Sequence, residues 1–253
     1  MIGNILFWLY FISISSAVPF SISFKYKSQN NKEKWSQSVF LMINGFEEEV
    51  CAGDECTSSL VGYGTGTAFV IDTDGDKTIF MTAAHLCEEE NTSSSIVPGM
   101  PGLFQVKRTN HLAVVKNEML HEIEKVLYRD VYTDICIFVV NKKLSNSKLK
   151  IAKAPADYGE EVWTIGAPAG YFPPTAKPIS RGLYSGNGVR VSTTGVHNEF
   201  SNYSLPTRQG MSGSPIMNSK GKVIGIVSAV HNEWHMILFS PTHKQVIDAI
   251  NSI

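Results

Sequence analysis

Neither sign of charge is in excess in this sequence. Its 253 residues carry 22 Lys and Arg against 23 Asp and Glu, with the basic ones scattered. A chain without a basic face or stripe offers no nucleic-acid-binding surface. Disorder is excluded too, because 43% of the residues are hydrophobic and only 18% are charged, enough apolar material for a core. No internal repeat and no low-complexity tract occurs. At this length the chain suits one globular unit or two small packed lobes.

Charge is wholly missing from the first 24 residues. Ile5 to Ile14 is an apolar run, and Ser15-Ser16-Ala17 then offers the small residues a signal peptidase needs. No Lys or Arg precedes the run, which leaves an uncleaved anchor open. Asn4 to Phe24 nearly spans a bilayer, although Ser13, Ser15, Ser16 and Pro19 weaken it, and Lys25 and Lys27 would hold the body on the cytoplasmic side. A buried structural segment is the third reading. Residues 1–17 are therefore expected to be a signal peptide or membrane anchor, and 18–37 a polar linker. The body is expected to be secreted or periplasmic, and membrane-bound only if the anchor is kept.

Cysteine is scarce. Cys51, Cys56, Cys87 and Cys136 allow three pairings. Cys51 and Cys56 flank a turn-like Ala-Gly-Asp-Glu that suits a local bridge. Cys87 follows His85 by two residues and Cys136 follows Asp134 by two, so they are neighbours if His85 touches Asp134. Buried free thiols remain the alternative, and export favours bridges. Asn91-Thr92-Ser93 and Asn202-Tyr203-Ser204 fit the N-glycosylation pattern.

Long helical periodicity is also lacking until the end of the chain. Short apolar runs alternate with Gly, Asp and Asn turns, which predicts an all-β fold. Thr67–Ile71 and Thr78–Thr82 read as a hairpin. The acidic turn between them, Asp72 to Asp76, resembles a calcium loop only loosely: its glycine is misplaced and no distal Glu completes it, so no metal is expected. Ile135–Val140 reads as a strand buried on both faces. Val162–Ile165, Gly188–Thr193, Pro215–Met217, Val223–Val227 and Met236–Phe239 follow as strands. Val246, Ile247 and Ile250 give Thr242–Asn251 one helical face, and Asn117–Leu127 carries a second helical pattern.

What is present is chemically pointed. Thr82-Ala83-Ala84-His85, Thr133-Asp134-Ile135 and Gly210-Met211-Ser212-Gly213-Ser214-Pro215 occur in that order. A serine hydroxyl needs a base to take its proton, and a histidine serves when a carboxylate fixes its tautomer. Gly210 and Gly213 free the backbone to turn tightly, so that the N–H groups of Gly210 and Ser212 can face a developing oxyanion. The order excludes an α/β-hydrolase, which needs Asp and then His after its serine: only Asp248 follows Ser212, and no histidine follows Asp248. No cysteine stands in the glycine turn, which argues against a cysteine protease. The residues predict a serine endopeptidase, with a catalytically silent binding protein or a self-processing protease as alternatives.

These three blocks resemble those of trypsin-like (chymotrypsin-fold) serine peptidases. Gly64 to Ile71, Trp163 to Gly170 and Gly182 to Gly186 are similar to the HtrA/Deg and glutamyl-endopeptidase-like branch. The resemblance implies two six-stranded antiparallel β-barrels with a short C-terminal helix, over 38–152 (with His85 and Asp134) and 153–253 (with Ser212). It implies His85 as base, Asp134 as orienter, Ser212 as nucleophile and the amides of Gly210 and Ser212 as oxyanion hole, with a polypeptide substrate and no cofactor. Met211 stands where many members carry an Asp that pairs with a new N-terminus, so that mode of activation is not expected. No PDZ domain is seen after Ser212, and the peptide sensing of full HtrA proteins is not expected either. Val227, Ser228, Ala229 and Val230 are expected along one wall of the primary pocket, with Pro206 and Thr207 at its base. No acidic residue lies there and Val230 narrows it, which favours a small or medium apolar residue before the scissile bond. His197 is read as a surface-loop residue.

Overall fold

Two antiparallel sheets follow from the alternation of apolar residues and tight turns. They are seen in a computed structural model that describes residues 30–52, 55–88, 91–95, 104–168, 177–191, 197–231 and 236–253. The apolar N-terminal run lies outside the described residues. Among those described, no helix is long and apolar enough to cross a membrane.

The first sheet comprises β1 (Val39–Ala52), β2 (Glu55–Asp74), β3 (Lys77–Thr82), β4 (Asn91–Ser95), β5 (Phe104–Lys116), β6 (Met119–Glu122), β7 (Lys125–Asp130) and β8 (Ile135–Val140). Their order is β4-β5-β1-β2-β3-β8-β7, with β6 on β5. The second comprises β9 (Glu161–Ile165), β10 (Ile179–Val191), β11 (His197–Ser204), β12 (Pro215–Asn218), β13 (Val223–Ile226), β14 (Ala229–Val230) and β15 (Ile237–Ser240), in the order β13-β12-β9-β10-β11-β15-β14. The mostly β fold in two antiparallel units is as expected. The strand counts are eight and seven rather than six each, because long β1 and β5 recruit the short strands β4 and β6.

Every residue of β8 is buried, as its unbroken apolar run predicts. One core lies within the first sheet, where Phe80 stacks on Phe138 and meets Phe40 edge-on, both at 5.3 Å between ring centroids. A second lies between the lobes. There Val39, Phe69, Met81, Ile135 and Ile137 of the first meet Ile165, Met217, Val223 and Ile226 of the second. The C-terminal helix α2 (His243–Asn251) plugs this core with Val246 and Ala249. Thr242 and Gln245 cap it reciprocally, which fixes its start.

Three expectations are corrected. Asn117–Leu127 is not helical. Asn117 and Glu118 take φ of 51° and 65°, the left-handed pair that a two-residue hairpin turn requires, and the chain folds back as β5 into β6. Residues 30–36, within the expected linker, form the helix α1 (Asn30–Ser36). Local propensity did not show it because its support is tertiary. The Trp35 indole lies on Gly221, where an added Cβ would sit 2.2 Å from the ring, and Lys32 Nζ stands 3.4 Å over the Trp163 ring. Lys177, its charge disfavoured by burial, donates to the Ser36 carbonyl at 2.7 Å and also to that of Val39. Finally, His197 begins strand β11 rather than lying in a loop.

The pairing left open by the sequence is settled as two bridges. Cys51–Cys56 closes the β1–β2 hairpin and Cys87–Cys136 joins the residues beside His85 and Asp134.

Candidate functional site

The site is assembled where three turns meet the interlobe core. After β3, Ala83 and Ala84 are fully buried, which only such small side chains permit in a turn pressed on the sheet. The chain then makes one 3-10 turn, Ala84–Leu86, that presents His85 with 43% of its side chain exposed. Arg129 Nε donates to the Ala84 carbonyl at 3.3 Å, and the Cys87–Cys136 bridge ties the turn to β8.

Asp134 stands at the entry of β8 with φ 57°, a left-handed conformation that Asp tolerates better than most residues. Asp130 stiffens the preceding turn, its carboxylate accepting from the Tyr132 N–H at 2.9 Å and the Thr133 hydroxyl at 2.8 Å. From the second lobe, Asn198 Nδ2 donates to the Tyr132 carbonyl.

The carboxylate of Asp134 is heavily subscribed. His85 Nδ1 lies 3.0 Å from each oxygen, the His85 backbone N–H donates to Oδ1 at 2.9 Å, and the Ser228 hydroxyl donates to Oδ2. A carboxylate only accepts, so the ring nitrogen facing it carries the proton, and Nε2 is the ring nitrogen left free of Asp134. Burial pushes the Asp134 carboxyl upward, but the hydrogen bond and charge of His85, with the Ser228 hydroxyl and the His85 amide, outweigh it and hold the group below the usual carboxylate value.

The glycine turn lies against this pair. An added Cβ on Gly213 would stand 2.1 Å from both the Thr67 carbonyl oxygen and Thr82 Oγ1, and 3.1 Å from the Ala83 nitrogen. The Thr67 N–H donates to the Ser212 carbonyl at 2.8 Å, and the Gly213 N–H to Val227 at 2.7 Å. The serine turn is thus packed through Gly213 on Ala83, two residues before His85, although no side-chain hydrogen bond links Ser212 and His85 among the described residues. The Met211 N–H closes on the Arg208 carbonyl at 3.0 Å with Gly210 at φ 85° in third place, the mark of a type II turn. Among the described residues the N–H groups of Gly210 and Ser212 have no hydrogen-bond partner, while the Gly210 carbonyl is held by Thr67 Oγ1 at 3.1 Å.

The matching family profile is that of a trypsin-like peptidase domain, over residues 66–226, more than half of the chain. The chain belongs to this family. The curated protein named "Probable periplasmic serine endoprotease DegP-like", of Bartonella henselae, is 22% identical over 86% of this chain, and this chain spans 42% of that protein's length. The Rv3671c protease of M. tuberculosis in its active form superposes with TM-score 0.60 at 20% identity, covering 88% of this chain and 83% of that one. An inactive form of the Rv3671c protease gives 0.59 at 21%, covering 88% and 93%. These structures are similar in fold.

Of the positions expected to touch substrate, Ser228, Ala229 and Val230 line a cleft of about 790 Å³ with Tyr132, Asp134 and Phe200. Pro206 and Thr207 do not line it; Thr207 is buried, its hydroxyl without a partner among the described residues. Val227 is 1% exposed and packs in the second lobe's core rather than on a pocket wall. Met211 is buried against Gly166, so an apolar side chain fills the expected place of a charged one. Sequence reasoning missed Asn198 and Thr67, and missed the second role of Ser228. Ser228 bonds Asp134, Asn198 holds Tyr132, and Thr67 joins Gly210 to the Ala167 N–H, which donates to Thr67 Oγ1 at 2.9 Å. Each acts across the lobes, and no local pattern marks it.

Proposed function

We propose that the protein is a serine endopeptidase working through His85, Asp134 and Ser212. The observation that carries this reading is the Asp134 carboxylate grasping His85 Nδ1, which leaves Nε2 as the base beside the glycine turn. His85 Nε2 takes the Ser212 proton as Oγ attacks the substrate carbonyl. The oxyanion forms facing the N–H groups of Gly210 and Ser212, donors each worth about 3–4 kcal/mol in such sites. His85 then protonates the departing amine, leaving an acyl-enzyme. A water, deprotonated by the same nitrogen, releases the acyl group and restores Ser212.

The acyl side of the substrate lies along Ser228–Val230. Half-buried Val230 beside Ser228 and Ala229 in the cleft supports a small or medium apolar residue before the scissile bond. A peptide-library profile dominated by Arg, Lys or Glu refutes that preference. Two disulfides and the periplasmic relative support an extracytoplasmic site of action.

Labelling by a fluorophosphonate tests the mechanism. The protein should label, and Ser212→Ala and His85→Ala should each abolish labelling while remaining folded. Equal labelling of Ser212→Ala refutes the nucleophile.

A further inference from the structure

Gly210 and Ser212, the two residues whose N–H groups are assigned to the oxyanion, are both gripped by their carbonyls from Thr67 of the first lobe. The Thr67 N–H donates to the Ser212 carbonyl at 2.8 Å, and its hydroxyl to the Gly210 carbonyl at 3.1 Å. The direction of the second bond is fixed. The Ala167 N–H, 2.9 Å from Oγ1, can only donate, so the single hydroxyl proton goes to Gly210. Thr67 is fully buried, so solvent cannot stand in for either partner. Thr67 is anchored in turn. Its carbonyl accepts from the Thr82 hydroxyl at 2.8 Å, and Thr82 stands three residues before His85.

The peptide between Gly210 and Met211 is thereby held at both ends. Thr67 takes its carbonyl, and the Arg208 carbonyl takes its N–H at 3.0 Å. Pro168 backs the same glycine, since an added Cβ there would lie 3.0 Å from Pro168 Cα. With that peptide fixed, the φ of 85° at Gly210 sets where the Gly210 N–H points. We infer that Thr67 is a positioning residue for the proposed reaction: its hydroxyl holds the Gly210 N–H in the direction that meets the oxyanion. The inference rests on the proposed peptidase reading. Thr67 touches no reacting atom and acts through Gly210. Donors aimed beforehand are effective because nothing reorganises as charge develops. The bond from the Thr67 N–H to Ser212 does not need the side chain. Losing the hydroxyl therefore loosens the Gly210 donor and leaves the Ser212 donor in place. The loss falls on the transition state, because the substrate carbonyl gains its charge only on attack.

Thr67→Val keeps the shape and removes the hydroxyl. Assayed on one peptide well below its melting midpoint, it should lose about ten- to hundredfold in kcat, with KM within about threefold of wild type. Thr67→Ser can make both bonds and should recover kcat to within about threefold. An isotope-labelled peptidyl trifluoromethyl ketone gives a readout that a purely structural role does not move. Ser212 Oγ adds to its carbonyl carbon, the Oγ proton passes to His85, and a hemiketal oxygen is left at the donors. NMR then follows the pH at which that oxygen ionises. In Thr67→Val this pH should rise by about one to two units, the same ten- to hundredfold, and Thr67→Ser should return it. Should Thr67→Val fail to fold, Thr67→Cys, whose thiol is a weak donor and acceptor, should fall between serine and wild type on one side and valine's expected loss on the other. A lower melting midpoint with wild-type kcat and wild-type hemiketal ionisation overturns the inference while the peptidase reading stands. So do equal losses in the serine and valine or cysteine variants. A wild type that cleaves no peptide and forms no hemiketal overturns the peptidase reading and this inference with it.

Discussion

Replacing Gly213 by alanine should separate the glycine turn's two demands, conformation and space. At φ 81° an L side chain is strained by about 1–2 kcal/mol. The added Cβ would also stand 2.1 Å from the Thr67 carbonyl oxygen and from Thr82 Oγ1. Those two atoms are themselves joined by a hydrogen bond of 2.8 Å, so relieving the overlap means breaking it or moving β2 away from β3. Overpacking of a rigid interior costs about 1–3 kcal/mol and the lost hydrogen bond about 1 kcal/mol. The expected loss is therefore about 3–6 kcal/mol, with its middle at about 4–5 kcal/mol. At about 2–4 °C per kcal/mol for a chain of this size, the thermal midpoint should fall by roughly 10–15 °C. Gly75→Ala is the control. Its φ is 57°, but nothing lies within 4 Å of the added Cβ, so only the conformational cost of about 1–2 kcal/mol applies. Circular dichroism melts would give both shifts, and fluorophosphonate labelling well below the lower midpoint would report the site. Gly213→Ala should label far more slowly than wild type, because the displaced backbone carries Ser212, whereas Gly75→Ala should label normally. Equal thermal shifts, or wild-type labelling by Gly213→Ala, refute the reasoning.

Other outcomes follow from the same contacts. Asp134 has a folded pKa below its unfolded value of 3.8, so its contribution to stability is complete above that pH and is lost as pH falls through the folded value. The stability gap between wild type and Asp134→Asn should shrink below about pH 4 in urea melts; a gap constant from neutral to strongly acid pH contradicts it. Cys87→Ser with Cys136→Ser opens a loop spanning 49 residues, which in the chain-entropy account is worth about 4 kcal/mol, measurable as a lower urea midpoint. Thr67→Val keeps the shape but strips the partner from the Gly210 carbonyl and the Ala167 N–H, at about 1–3 kcal/mol for each buried group. Thr67→Ser should restore most of that loss in the same melts.

What could be read from the sequence was what short-range chemistry encodes. The buried strand Ile135–Val140, the hairpin around Gly75, the helix after Thr242 and the crowding of small residues about Ser212 each depend on neighbours in the chain. What escaped depends on distant partners. α1 is a seven-residue helix of polar sequence that stands because Trp35 finds Gly221 across the molecule. Asn117 and Glu118 sit inside a helix-like apolar spacing, yet the left-handed pair turns the chain back. Ser228 was read as a pocket wall; it does line the cleft, but its hydroxyl is aimed at Asp134.

The interlobe contacts also explain why the candidate site belongs to neither lobe. His85 and Asp134 both come from the first sheet and share a disulfide-tied framework, so that pair alone could form there. Yet Asp134 is finished by Ser228, and its turn by Asn198, both from the second lobe. Conversely, the turn carrying Ser212 hangs on Thr67 of the first lobe through two hydrogen bonds, one from the Thr67 hydroxyl to the Gly210 carbonyl and one from its N–H to the Ser212 carbonyl, and the same hydroxyl accepts from the Ala167 N–H of the second lobe. Each lobe thus supplies partners to polar groups of the other, and docking in a different register would bury those groups unpaired, at about 1–3 kcal/mol each. The apolar core between the sheets drives the docking, because burial is roughly proportional to area and indifferent to direction. The hydrogen bonds, which are directional, then select the one docked arrangement that brings the turns of His85, Asp134 and Ser212 together.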